Sequence, residues 1–220
     1  MNSKRPAIAL ALTLAAMSLA LSSAAAAAAE KGDWIARAAA TTMDPETDSD
    51  TLNGISRSGL RFDSDSASAS IAIARMITQH FAVELAATLP FSAELDGNDR
   101  LQSLGIPHLA DTDILPVTLG AQYHVATGSA WHPYVGVGAT YVRFADEKDR
   151  ANGIRVDLQD ATGPSAQLGV DIGLSDRWLL NVDARYVDVD TTAKLRGMID
   201  QDVDVTFTPW LFSVGVGYVF

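Results

Sequence analysis

The 220-residue chain contains no cysteine, so no disulfide framework holds it together. Beyond residue 30 it also lacks any stretch approaching the ~20 consecutive apolar residues that a spanning helix requires. Basic residues are few: 16 Lys and Arg stand against 27 Asp and Glu, for a formal net charge of −11. With no basic stripe to release counterions from phosphates, this balance argues against a nucleic-acid partner. The sequence shows neither a cluster with metal-ligand spacing nor a glycine-rich phosphate loop, so it implies no metal and no cofactor. If this chain enters a membrane, it does so as strands.

The first residues have their own logic. Lys4 and Arg5 open the chain, and an apolar run from Ala7 to Leu21 follows, interrupted only by Thr13 and Ser18. Small residues lead to Ala29, and Glu30, Lys31, Gly32 and Asp33 end the run. This is the layout of a secretory signal peptide with an A-x-A cleavage site. Cleavage is expected after Ala29, leaving residues 30–220 as one domain. The run is short for a membrane anchor and has no charged stop-transfer flank. Removing Lys4 and Arg5 from the 16 basic residues leaves 14 against 27 acidic ones, a net charge of −13. Export without cysteine fits a periplasmic or outer-membrane protein.

The rest of the chain has a period of two. In PYVGVGATYV the set Val135, Val137, Ala139, Tyr141 alternates with Gly136, Gly138, Thr140. SAQLGVDIGL alternates Ala166, Leu168, Val170, Ile172, Leu174 with Gln167, Gly169, Asp171, Gly173. LPVTLGAQYH, FAVELAATLP, ASASIAIARM, NVDARYVDVD, DWIARAAAT and the closing FTPWLFSVGVGYVF read the same way, which makes eight strands of about ten residues, the length a tilted strand needs to cross a bilayer. Short connections are expected at Thr78–His80, Ala126–Trp131 and Ser175–Arg177. Long loops are expected at Asp44–Asp65, Ser92–Asp113, Asp146–Ala161 and Thr191–Asp204. The fold expected is all-β: an eight-stranded antiparallel up-and-down transmembrane β-barrel with its long loops outside the cell.

Alternation alone does not say which face points inward. Size does. Eight strands enclose an interior just wide enough for side chains, and about twenty bulky apolar residues would not fit there. The alternate positions are small or charged, so the bulky set faces lipid. Aromatics gather at strand ends as two girdles: Trp34, Phe81, Tyr123, Trp178, Tyr218 and Phe220 near the turns, Tyr141, Tyr186 and Trp210 near the loops.

The segments GDWIARA, FAVELAATLPF, LPVTLGAQYH, HPYVGVGATYVRFADE, WLLNVDARYVDVDTTA and TPWLFSVGVGYVF together resemble the OmpW family of small outer-membrane barrels. The resemblance implies a narrow, largely hydrophobic channel or pocket for passive transport of small hydrophobic molecules. It also implies that Tyr218 and Phe220 belong to a C-terminal signal read by the barrel-assembly machinery. The expected surroundings are outer-membrane lipid and lipopolysaccharide.

Parity gives the inward set independently. Toward the turns it is polar, with Arg37, Glu84, Gln122, Asp171, Asp183 and Arg185 as its centre and His124, Gln167 and Asn181 beside them. Toward the loops it is apolar: Val142, Phe144, Val187, Val189, Phe207 and Leu211. This gradient suggests an apolar pocket above a charged plug, with the arginines paired to the carboxylates. Such a plug is either a gate or a solid packed interior. The alternative function is therefore a structural or surface-interaction barrel with a closed lumen, acting through its extracellular loops.

An enzyme is not expected. None of His80, His108, His124 and His132 has a serine and a carboxylate at a spacing that places all three on the outer rim. The acidic MDPETDSD, with Asp44, Glu46, Asp48 and Asp50, fails the calcium-loop pattern, because Leu52 stands where a ligand belongs and Gly59 stands at the twelfth position from Asp48. It reads as a solvated acidic loop. Leu101, Leu104 and Ile106 are candidates for a short amphipathic turn over the pore mouth.

Overall fold

The structure is a computed structural model and describes residues 29–49, 60–63, 67–97, 108–149, 154–197 and 201–220. Residues 1–28, and with them nearly all of the expected signal peptide, lie outside this set. So do Asp50, Leu52 and Gly59 of the first loop and Leu101, Leu104 and Ile106 of the second.

Fourteen strands are described: β1 Trp34–Asp44, β2 Thr47–Ser49, β3 Leu60–Asp63, β4 Ala67–Met76, β5 Phe81–Thr88, β6 Phe91–Gly97, β7 His108–His124, β8 Trp131–Asp149, β9 Ile154–Leu158, β10 Ala161–Gly173, β11 Trp178–Val187, β12 Val189–Gly197, β13 Gln201–Phe207 and β14 Trp210–Val219. Eight of them form a closed antiparallel ring in the order β1, β4, β5, β7, β8, β10, β11, β14 and back to β1. Closure satisfies the backbone inside the barrel wall and leaves no free edge to meet lipid. The ends of the ring meet where Trp34 and Phe220 exchange backbone hydrogen bonds at 2.9 and 3.0 Å.

Burial settles which face is which. Val137 is 70% exposed and Leu168 62%, whereas Arg37 is 5% exposed and Glu84 3%. Apolar outside and charged inside inverts a water-soluble barrel and matches a barrel dissolved in lipid. Ile172 shares the outward parity but is buried, with bulky Trp131 and Leu180 as its partners on the two adjacent strands.

The three turns at one end are short. In the first, the Thr78 hydroxyl accepts hydrogen bonds from the backbone N–H of His80 and Phe81; in the third, the Ser175 hydroxyl accepts one from Trp178 N–H. Gly128, in the second, has φ +65°, a left-handed conformation glycine adopts without strain.

The opposite end differs from expectation. The four segments read as long loops are largely stranded where they are described. β12 and β13 continue β11 and β14 and pair with each other, and β9 and β2 flank them to make a four-stranded sheet. The acidic residues of Thr191–Asp204 suggest a solvent-exposed loop, but Asp202 and Asp204 alternate with Val203, Val205 and Phe207, the pattern of a half-buried strand. The buried face of this sheet joins Met43, Ile114, Val142 and Phe144 of the barrel and Phe91 of β6 in one apolar cluster.

Candidate functional site

One strand shows how the interior is layered. Along β1 the inward residues are Ile35, Arg37, Thr41 and Met43, rising from the turns toward the four-stranded sheet. Ile35 belongs to a small lower apolar cluster with Ala74, Met76, Ala82 and Leu179. Arg37 lies in a charged layer. Thr41 lies in a hydroxyl belt, where it hydrogen-bonds Ser70 at 2.7 Å and Ser213 at 2.9 Å, while Thr118 and Thr140 meet at 2.7 Å. Met43 enters the upper apolar cluster.

The charged layer brings together all six residues expected at its centre. Glu84 is the shared acceptor: Arg37 Nη1 donates at 3.2 Å, Gln122 Nε2 at 2.7 Å and Arg185 Nη2 at 2.6 Å. Asp171 receives Arg37 through Nε at 3.1 Å and Nη2 at 2.5 Å, and Asn181 Nδ2 at 2.8 Å. Asp183 departs from expectation. It forms no ion pair with either arginine and accepts instead from Gln167 Nε2 at 2.7 Å and the Tyr134 hydroxyl at 3.3 Å. Buried charges cost several kcal/mol each in desolvation, offset here by charge-assisted hydrogen bonds from every side.

Tyr134 was missed as a site residue, and it links the layer's parts. Its hydroxyl accepts from Asn181 at 2.9 Å, its ring lies 5.1 Å under the Arg37 guanidinium, and the His124 ring stacks on it at 5.0 Å. A Cβ at Gly169 would collide with the hydroxyl end of the Tyr134 side chain, so that glycine makes the room the tyrosine fills. The signal was present in the sequence: Tyr134 shares the parity of Gly136, Gly138 and Thr140.

The six residues expected to line an apolar upper pocket are placed together, but as packed material rather than as an open wall. Val142, Phe144, Val187, Val189, Phe207 and Leu211 are all buried in the upper cluster. The stranded extension continues the barrel wall, and its inward side chains Val203, Val205 and Phe207 join this cluster, which packs across the upper interior as a roof over the space below. Leu211 also borders open space.

That space is a cavity of about 50 Å³ between the charged layer and the roof, room for a few waters. Arg185, Asp183, Thr41, Ser70, Thr118 and Ser213 line it, and it reaches the barrel wall at Thr88 and Pro116. A second cavity of about 50 Å³ lies below the layer, beside His124, His132, Asp171 and Trp178. Tyr218 and Phe220 sit at the lower rim, where the Tyr218 ring meets Trp178 at 5.1 Å and Phe220 at 6.2 Å.

Comparison with known proteins agrees with this architecture. Outer membrane protein W of Vibrio cholerae is 33% identical over 199 residues, covering 87% of this chain and 90% of that protein. The crystal structure of outer membrane protein OprG from Pseudomonas aeruginosa superposes with a TM-score of 0.76 at 32% identity, covering 87% of this chain and 97% of that one. The solid-state NMR structure of outer membrane protein AlkL in DMPC bilayers gives 0.69 at 27% identity, covering 90% and 94%. The model of the OmpW family matches residues 30–220. The chain thus belongs to the OmpW family and is a β-barrel protein of the outer membrane.

Proposed function

We propose that this barrel is a passive conduit for small hydrophobic molecules, which enter past the roof, stop above the charged layer and leave sideways into the membrane. One observation carries the reading. The ladder between β5 and β7 ends at Ala87 opposite Val117 and resumes only at Phe91 opposite Ile114. Pro90 and Pro116 fall in that interval, and proline has no N–H to give a ladder. Leu89 N–H bonds Ala69 O at 2.8 Å, away from β7. The seam therefore weakens where Thr88 and Pro116 border the cavity. Irregular backbone at membrane depth is tolerated where it lines such a space.

In this reading the charged layer blocks passage to the periplasm, no covalent chemistry is performed, and residues 1–29 are removed as a signal peptide. Outer-membrane lipid and lipopolysaccharide surround the wall, and Tyr218 and Phe220 are presented to the barrel-assembly machinery. The packed roof and its outer face, with Asp190, Asp202 and Asp204 exposed, favour a second reading: a closed barrel that acts through its extracellular end.

The test uses the absence of native cysteine. Thr88→Cys with Pro116→Cys places the only two thiols across the seam. Uptake of labelled naphthalene by cells carrying the oxidised variant is expected to fall to the barrel-free level and to return on reduction. Equal uptake in both redox states overturns the sideways path. Uptake no faster than in barrel-free cells, even for the unmodified protein, leaves the closed barrel as the surviving reading.

A further inference from the structure

The cavity above the charged layer has a floor unlike its ceiling. Leu211 and the roof lie above it, while its floor carries Arg185. The two arginines of the layer are used differently. Arg37 donates through Nε, Nη1 and Nη2. Among the described residues, Arg185 makes one hydrogen bond, from Nη2 to Glu84, and its Nε and Nη1 have no partner. The hydroxyls at the same level are bonded to one another rather than to Arg185. A hydrocarbon filling this space would displace water from a guanidinium and give nothing back, which is unfavourable for a buried charged donor.

We propose that the cavity is a recognition site for hydrocarbons bearing one neutral oxygen, an alcohol or a carbonyl, whose oxygen accepts from Arg185 Nε or Nη1. This deepens the conduit reading and rests on it. The charge balance sets the class. Both guanidiniums are already paired, Arg37 with Glu84 and Asp171 and Arg185 with Glu84, so a ligand carboxylate would enter beside acidic side chains with no cation left to it, whereas a neutral oxygen needs only a donor. The volume fits the oxygen end and not a long chain, and the cavity meets the wall at Thr88 and Pro116, so the alkyl tail extends through the seam toward lipid. The conduit then discriminates by the polar end of its cargo: a site built to hydrogen-bond one group rejects the analogue lacking it.

The experiment follows the Arg185 Nε–H NMR signal of the full protein refolded in DMPC nanodiscs, titrated with 1-octanol, octane and, at neutral pH, octanoate. Octanol is expected to shift the signal saturably, about tenfold more tightly than octane, with octanoate without effect. Ala86→Leu, which fills the cavity and leaves Arg185 in place, should abolish the octanol shift; Arg185→Gln should remove octanol's advantage over octane in competition for uptake. An equal response to octane, a stronger one to octanoate, or none to octanol while naphthalene uptake persists overturns the inference alone. Loss of all hydrocarbon uptake in the unmodified protein overturns it together with the conduit.

Discussion

The lower and upper halves of the barrel interior are built by the same strands and held by opposite means. Arg37 and Met43 lie on the same face of β1, yet one sits in a network of ion pairs and the other in an apolar cluster. The lower half is directional: each side chain is held by named partners at hydrogen-bond distance, and loss of one strands the others. The upper half is non-directional: Phe91, Val205 and Phe207 are held by burial, and neighbours can shift to fill a gap. A partition that must stay shut suits the first kind of interior. In the proposed conduit, the second kind lets the roof shift to admit a guest.

Breaking the shared acceptor should have the largest effect. Glu84→Ala leaves Arg185 without its hydrogen-bonded carboxylate and removes one of Arg37's two. Loss of one partner from a buried pair costs roughly 3–5 kcal/mol. Urea unfolding of the refolded protein in bilayers should show that loss, and planar-bilayer recordings should show ion conductance above that of the unmodified barrel. The matching change in the roof, Phe207→Ala, should cost about 3–4 kcal/mol by cavity formation. It should leave conductance unchanged, because the charged layer below stays intact. If Phe207→Ala raises conductance as Glu84→Ala does, the two halves are not functionally distinct. A finer cut lies at Gly169. Gly169→Ala should destabilise by roughly 1–3 kcal/mol, because its Cβ collides with the Tyr134 ring. Combining it with Tyr134→Ala should cost less than the sum of the single changes, a coupling that a double-mutant cycle in urea detects.

Much of this architecture was legible in the chain, and the reason is the period. A strand shows its two faces at alternate residues, so Arg37, Glu84, Gln122, Asp171, Asp183 and Arg185 could be assigned to the interior one by one. The three short turns were legible too, through Thr78, Gly128 and Ser175. Two things were not. The acids of Thr191–Asp204 suggest a loop and outweigh its alternation, although acids on a half-exposed strand are ordinary. Tyr134 shares the inward parity of Gly136 and Gly138, but parity does not show what an inward side chain meets; the space left by Gly169 on the neighbouring strand does.

The sequence by itself determined the number of strands in the barrel ring, the inward and outward faces and the placement in the outer membrane. Each follows from side-chain size and polarity at alternate positions, which are local properties. Tertiary structure alone decided partners and heights. That Glu84 serves both arginines while Asp183 serves neither depends on how eight strands are staggered when the barrel closes, since the stagger sets which inward residues share a level. That the upper apolar residues form a roof rather than an open pocket depends on β12 and β13 carrying Val203, Val205 and Phe207 into the mouth. Neither is local, because both arise from residues far apart in the chain brought to one height inside a closed wall.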